Sequence, residues 1–391
     1  MIKIIKNIKV YTPKYIGIKD VALIGDKIAS IEDSIEITTK GLEVEMIDGQ
    51  GKILTPGFID GHVHILGGGG EGGYKTRTPE IMLSDIIRGG VTTVVGCLGT
   101  DGISRNMVSL LAKARGLEEE GVSTYIYTGS YRVPVTTITG EVMKDIIAID
   151  KIIGVGEVAI SDHRSSHPHV EDIKKLVSDA RVAGILSGKA GVVNFHLGDS
   201  KNTIKILDEI IENTELPYSQ FYPTHMNRNP YLFEEAKNYA KKGGYIDFTT
   251  SSVPLYWEEG EVKASRALKI CLEEGVPDDR ITFTSDGQGS LPMFNEKKEC
   301  IGLNVGKVTT LYEEVRDAVL VDGVPFERAI KTITSNPAHI LKLHNKGNIG
   351  IGKDADLVIL DEKELKIQTV IAKGIIMLYE GEVKVFGTFE K

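Results

Sequence analysis

Between residues 57 and about 340, short apolar or β-branched runs alternate with segments of helical period, and no other feature of this 391-residue chain constrains its fold as much. Candidate strands end near His64 and occupy 91–98, 124–128, 152–160, 192–196, 221–225, 245–249 and 281–285. Helical patterns follow most of them, among others at 80–88, 103–120, 170–183, 203–212, 232–242 and 264–274. Eight strands with helices between them predict an α/β chain folded as a (β/α)8 TIM-like barrel of about the usual ~250 residues. A doubly wound open sheet is the alternative that the same pattern allows. The flanks read differently: short strands at 2–10, 20–24, 27–31 and 43–53, and again at 355–360, 367–372, 375–379 and 382–385, with no long helical period among them. Two terminal β segments of this kind can pair into one small domain.

Composition narrows the class. With 41% hydrophobic and 26% charged residues the chain can bury a large core. Its net charge of −9 argues against nucleic acid or an anionic membrane as the main partner, so a small-molecule substrate is expected. Cys97, Cys271 and Cys300 are too few and too scattered for a disulfide framework or a thiolate zinc site, which fits a reducing compartment and makes the cytoplasm the expected location. Residues 1–11 alternate lysine with isoleucine and form no signal-peptide h-region, and no run reaches the ~18 apolar residues that span a bilayer; neither export nor a membrane span is expected.

Titratable groups collect where the candidate strands end, which is where barrel enzymes build their sites. Asp60, His62 and His64 follow Gly57-Phe58-Ile59; residues two apart on a strand share a face, so both imidazoles can address one metal ion. Glu157, His196, His225 and Asp286 occupy later strand ends. A lone histidine near a strand end is ordinarily a packed, hydrogen-bonded residue. Four histidines and two carboxylates on five strands suit Zn²⁺, or else Mn²⁺, Fe²⁺ or Co²⁺, and the set is large enough for two metals bridged by a carboxylate and a hydroxide. Gly67 to Gly70 are not followed by Gly-Lys-Ser/Thr, so a Walker phosphate loop is excluded. His163, His167, His169, His339 and His344 lie in polar loops or near the end of the barrel and are not expected to be ligands, while Cys97 is expected to pack in its strand as a small hydrophobe.

Gly57-Phe58-Ile59-Asp60-Gly61-His62-Val63-His64, the later His196, His225 and Asp286, and the closing Gly352-Lys353-Asp354-Ala355-Asp356-Leu357-Val358 resemble the amidohydrolase superfamily of metal-dependent hydrolases. Within it the chain is similar, essentially end to end, to the isoaspartyl (β-aspartyl) dipeptidases. That likeness is carried by the four-glycine loop before Glu71, Leu98-Gly-Thr100-Asp101, Thr128-Gly-Ser-Tyr131, Ser161-Asp-His-Arg164-Ser, Phe195-His196-Leu-Gly-Asp199-Ser, Thr224-His225-Met-Asn-Arg228-Asn and Ser285-Asp286-Gly-Gln-Gly-Ser290.

The resemblance implies a β-sandwich domain formed by 1–56 with 346–391 around a metallohydrolase barrel at 57–345. It implies two Zn²⁺ ions per subunit: His62 and His64 with Asp286 on one metal, His196 and His225 on the other. The family's bridging ligand is usually a carboxylated lysine on the fourth strand. Here the position is Glu157, whose side chain is shorter, and Gly154 and Gly156 beside it allow a bulge or closer approach of that strand. Also implied are a zinc-activated bridging hydroxide as nucleophile, Asp286 as the proton carrier and Tyr131 as donor to the scissile carbonyl. Substrate contacts are implied at Gly69, Glu71 (the α-amino group), Thr100, Tyr131, Arg164, Arg228 and Ser290, with the two arginines reading the dipeptide's carboxylates. A homo-oligomer, an octamer, is implied as well. The alternatives are a cyclic-amide hydrolase of the hydantoinase or dihydroorotase type, an N-acyl-amino-acid deacylase, or a non-catalytic scaffold on the same fold.

Overall fold

The computed structural model describes residues 2–38, 40–295 and 300–390; the side chain of Cys300 lies outside the described residues. At the amino end, β-branched runs form β1 (Ile2–Tyr11), β2 (Tyr15–Ile24), β3 (Lys27–Glu32), β4 (Val44–Asp48) and β5 (Lys52–Pro56). The expected single strand at 43–53 is thus two. It breaks at a turn where a Cβ on Gly49 would lie 2.5 Å from Ile8 Cβ.

The central segment supplies β6 (Phe58–Val63), β7 (Val91–Gly96), β8 (Ser123–Thr128), β9 (Ile152–Ile160), β10 (Val192–Leu197), β11 (Phe221–Thr224), β12 (Ile246–Thr249) and β13 (Ile281–Thr284). These match the eight expected strands to within a few residues. Beyond them come a hairpin, β14 (Ser290–Phe294) and β15 (Cys300–Val305), and then β16 (Leu357–Asp361), β17 (Ile367–Ala372), β18 (Ile375–Tyr379) and β19 (Glu382–Val383).

β6 to β11 pair in chain order as one six-stranded parallel sheet, and β12 and β13 form a parallel pair. Contacts tie that pair to both ends of the sheet: the Met226 amide donates to Asp247 O after β11, while Val63 bridges Gly287 and the Ser285 amide donates to Asp60 on the β6 side. Nearly every strand position is buried, as a parallel sheet covered on both faces requires.

Helices cover the outside. In the longest, α4 of the series α1 (Leu83–Arg88), α2 (Met107–Glu119), α3 (Val142–Ala148) and α4 (Val170–Ser187), the buried residues Ile173, Leu176, Val177, Ala180, Ala183 and Gly184 recur at three and four along one face. α5 (Lys205–Glu212), α6 (Pro230–Lys241) and α8 (Ala264–Glu273) fall where expected; α3, α7 (Pro254–Glu259), α9 (Thr310–Leu320), α10 (Phe326–Lys331) and α11 (Ser335–Ile340) are additions.

The terminal strands pair across the chain, in the order β19-β18-β17-β16-β5-β1-β2-β3, with β4 alongside β1. β5 and β16 are antiparallel, Ile53 opposite Leu360 and Pro56 opposite Leu357. One apolar cluster joins Ile28 of β3, Ile5 of β1, Leu54 of β5 and Ile371 of β17, so this nine-stranded sheet curls around its own core. Among the described residues no helix is long and apolar enough to cross a membrane.

Candidate active site

His62 lies in β6 and His64 one residue beyond it, with side chains 0% and 7% exposed and ring centroids 5.5 Å apart. His196 is the penultimate residue of β10. His225 and Asp286 follow β11 and β13 at φ of 62° and 53°. A non-glycine residue pays about 1–3 kcal/mol for that left-handed backbone, a strain that persists where surrounding structure fixes a functional geometry.

Glu157 reaches the same point through an irregularity in β9. Val155 pairs with Val193 and Val158 with Phe195, so three steps along β9 oppose two along β10. The extra residue is a β-bulge at Gly156 and Glu157. Here a Cβ on Gly156 would sit 2.9 Å from that of Asn194, so glycine permits the close approach.

The Glu157 carboxylate ends up between two pairs of imidazoles. Its Oε1 is 3.3 Å from His64 Nε2; its Oε2 is 3.4 Å from His62 Nε2, 3.1 Å from His196 Nδ1 and 3.9 Å from His225 Nε2. Asp286 Oδ1 lies 3.0 Å from His64 Nε2 and 3.7 Å from His62 Nε2. Burial raises the Glu157 carboxyl, yet the His62 and His196 rings hold it well below its ordinary value.

Two donor groups result: His62, His64, Cys97 and Glu157, and Glu157, His196 and His225, with the ligand atoms of each group within 4.8 Å of one another. Glu157 belongs to both. Both ring nitrogens of His62, Glu157 Oε1 and Asp286 Oδ1 are buried without a hydrogen-bond partner. Orphaned polar atoms at this density are costly unless their lone pairs are directed at a cation, so these residues fit metal binding. The outward nitrogens of the second pair are engaged: His196 Nε2 lies 3.1 Å from Asp162 Oδ2, and His225 Nδ1 is hydrogen-bonded to Thr249 Oγ1. Such partners leave Nδ1 of His196 and Nε2 of His225, 2.9 Å apart, to face an ion.

Tyr131 is 5% exposed, and its hydroxyl is 2.9 Å from His196 Nδ1. Burial pushes its phenol far above its ordinary value, so it remains a donor. Glu71 accepts from Thr100 Oγ1 at 3.0 Å, Arg164 Nη1 at 3.3 Å and Ser290 Oγ at 3.4 Å, which brings three further residues expected to read substrate onto its carboxylate. Arg164 is engaged further. Its guanidinium makes a two-pronged contact with Asp162, Nε to Oδ1 at 2.9 Å and Nη2 to Oδ2 at 2.8 Å. Gly69 has φ 69°, and a Cβ there would meet Thr76 O at 2.6 Å.

These groups and Arg228 line one open cavity of about 970 Å³, floored by His64, His196, His225 and Asp286 and rimmed by Leu291, Pro292, Ile301 and Leu303 of the β14–β15 hairpin. Glu261 also lines it. Burial pushes its carboxyl up to about 7, against the opposing charge of Arg228.

Sequence reasoning missed Asp162, Thr249, Glu261 and the placement of Cys97. Asp162 was readable as an acid two residues before an arginine at a strand end; Glu261 sits in a segment without periodicity, and nothing local marks it. None of His163, His167, His169, His339 and His344 joins a donor group among the described residues.

A family model described as the amidohydrolase family matches residues 53–377. The β-aspartyl dipeptidase of Fervidobacterium islandicum AW-1, solved in complex with β-Asp-Leu dipeptide, is 50% identical over the whole of both chains with a TM-score of 0.91. The chain is an amidohydrolase, of the β-aspartyl dipeptidase family. A second structure of the Fervidobacterium enzyme is 48% identical, again over both full chains, with a TM-score of 0.90. A deacetylase of Brucella anthropi is 23% identical over 98% of this chain and 91% of its own. As an amidohydrolase the protein is a hydrolytic enzyme.

Proposed function

We propose that this amidohydrolase is a dipeptidase that hydrolyses the β-aspartyl bond of dipeptides such as β-Asp-Leu, at a centre of two zinc ions held by His62, His64, Glu157, His196, His225 and Asp286. The observation that carries the reading is Glu71, an anion joined to Thr100, Arg164 and Ser290 within one cavity that also contains Tyr131, Arg228, His64, His196, His225 and Asp286. A substrate with a free α-ammonium and two free carboxylates suits that arrangement of one anion and two guanidiniums. The Fervidobacterium relative that shares half its sequence binds β-Asp-Leu.

Bound divalent ions would polarise the scissile carbonyl and make water a nucleophile near neutral pH. The remaining work falls to side chains. Glu71 holds the α-ammonium and Arg228 a carboxylate, while Gly69, Thr100 and Ser290 fix the aspartyl moiety. Arg164, paired with Asp162, presents its remaining donors to the second carboxylate. The Tyr131 hydroxyl donates to the carbonyl oxygen as negative charge develops there. The Asp286 carboxylate accepts the proton of the attacking water and delivers it to the leaving amine.

The reading extends to architecture. Residues 57–345 form a closed (β/α)8 metallohydrolase barrel, with β12 and β13 completing the circuit between β11 and β6, and 1–56 with 346–391 form a β-sandwich domain. The sequence resemblance and the cysteine usage support a cytoplasmic homo-octamer. Release assays on β-Asp-Leu, α-Asp-Leu, hydantoin, dihydroorotate and an N-acyl-amino acid test the assignment. β-Asp-Leu should be cleaved fast and α-Asp-Leu far more slowly; equal rates on the two isomers, or preference for a cyclic amide or acyl substrate, would overturn it.

A further inference from the structure

Cys97 follows the last residue of β7 and is fully buried, with its amide donating to Val63 O at 3.1 Å. It packs in an apolar cluster with Ile59 and Val95, yet its Sγ, 3.7 Å from Val63 O and 3.8 Å from His64 Nδ1, belongs to the donor group of His62, His64 and Glu157. Two members of that group carry buried polar atoms with no partner, both nitrogens of His62 and Oε1 of Glu157. The end of β7 presses close enough that a Cβ on Gly99 would lie 2.9 Å from His64 Cε1 and 3.2 Å from Glu157 Oε1. The backbone is thus drawn in on the side where the sulfur sits.

Charge points the same way. Two divalent ions would bring four positive charges to the centre, and the carboxylates within 4.0 Å of the His62 and His64 rings are Glu157, 1% exposed, and Asp286, 21% exposed. Uncompensated charge at such burial is expensive. A thiolate is a strong ligand for zinc, and Cys97 would add a soft donor to His62, His64, Glu157 and Asp286 around that ion.

We propose that Cys97, as a thiolate, is a ligand of the metal ion held by His62, His64 and Glu157. This rests on the metal-centre reading above. On loading, the sulfur gives its proton to solvent and donates a lone pair to the ion; no redox change is involved.

X-ray absorption at the zinc edge of the purified, metal-replete enzyme tests it without any variant. A sulfur shell at roughly 2.3 Å, beside nitrogen and oxygen scatterers at about 2.0–2.2 Å, is expected. In Cys97→Ser and Cys97→Ala, with folding checked by circular dichroism, the sulfur shell should vanish, and one of the two ions should bind more weakly by roughly 10–100-fold or more, the range already lost with outer-shell partners. Cobalt-loaded wild type should show a near-ultraviolet thiolate-to-metal charge-transfer band that both variants lack. Two tightly bound ions with only nitrogen and oxygen scatterers would overturn the thiolate and leave the Glu157-centred pair standing. A sulfur shell that survives in both variants would also overturn it. Failure to retain any metal would overturn the metal centre itself and the thiolate with it.

Discussion

Glu157 shows how much a single side chain can decide. Its Oε1 faces His64 while its Oε2 lies among His62, His196 and His225, and it is the one residue common to both donor groups among the described residues. Glu157→Gln keeps the volume and removes the charge, so elemental analysis of the dialysed protein should find metal falling from two ions per chain toward one, with turnover falling alongside. Asp286→Asn tests a different role: metal should stay bound while kcat on β-Asp-Leu drops by roughly 10²–10⁴-fold, the usual contribution of a general acid–base group. Near-normal turnover in that variant would remove Asp286 from proton transfer. The six ligand candidates were legible because strand ends are readable from periodicity and polar residues are conspicuous there. Asp162 and Thr249, which engage the outward nitrogens of His196 and His225, were not. Their roles depend on which way each ring is rotated, and spacing along a chain carries no record of that.

At the level of elements, β9 is where local composition and tertiary demand agree. Gly154 and Gly156 allowed a bulge to be expected, and the register shift against β10 falls beside Glu157. If that shift serves the shorter ligand, a carboxylated lysine is too long for the site. Glu157→Lys supplied with bicarbonate should then recover only part of the wild-type activity after metal reloading, whereas full recovery would show that the strand lies where a lysine can work. Stripped wild-type enzyme should recover with zinc alone, at a rate that bicarbonate leaves unchanged. The β14–β15 hairpin, by contrast, was invisible: it lies past the eighth strand, where the repeating pattern has ended, and it is a local excursion over the cavity mouth. Short α3, with seven residues, leaves too little periodicity to separate from a loop.

Across the whole molecule, an ionic cluster of the terminal segment reaches the central one through a buried hydrogen bond. Lys346 is 6% exposed and donates to Asp356 at 2.5 Å, Asp354 at 2.8 Å and Ser123 Oγ, the last from β8. Lys346→Met leaves the buried Asp356 without its cation and Asp354 with Lys27 alone, and should cost about 3–5 kcal/mol, read as a lower urea midpoint at neutral pH. Burial raises the Asp354 carboxyl, but hydrogen bonds from Lys27 and Lys346 bring it below its ordinary value. A depressed carboxyl stabilises the fold above the unfolded value near ~3.9, and that contribution is lost as pH falls through the folded one. Wild type should therefore lose stability more steeply than Lys346→Met between about pH 5 and pH 3. That the two chain ends share a sheet was readable from their common β-rich composition; which strands would touch was not, because pairing depends on where the intervening segment returns the chain. The β5–β16 ladder sets Pro56 against Leu357. On the ribosome β5 emerges early, while its partner is made only after every strand of the central sheet. Throughout that interval the nascent chain carries an unpaired edge beside β1, open to pairing with another copy. Synthesis of this enzyme is thus most exposed to aggregation before β16 appears, and a chain stopped just short of β16 should accumulate in the insoluble fraction.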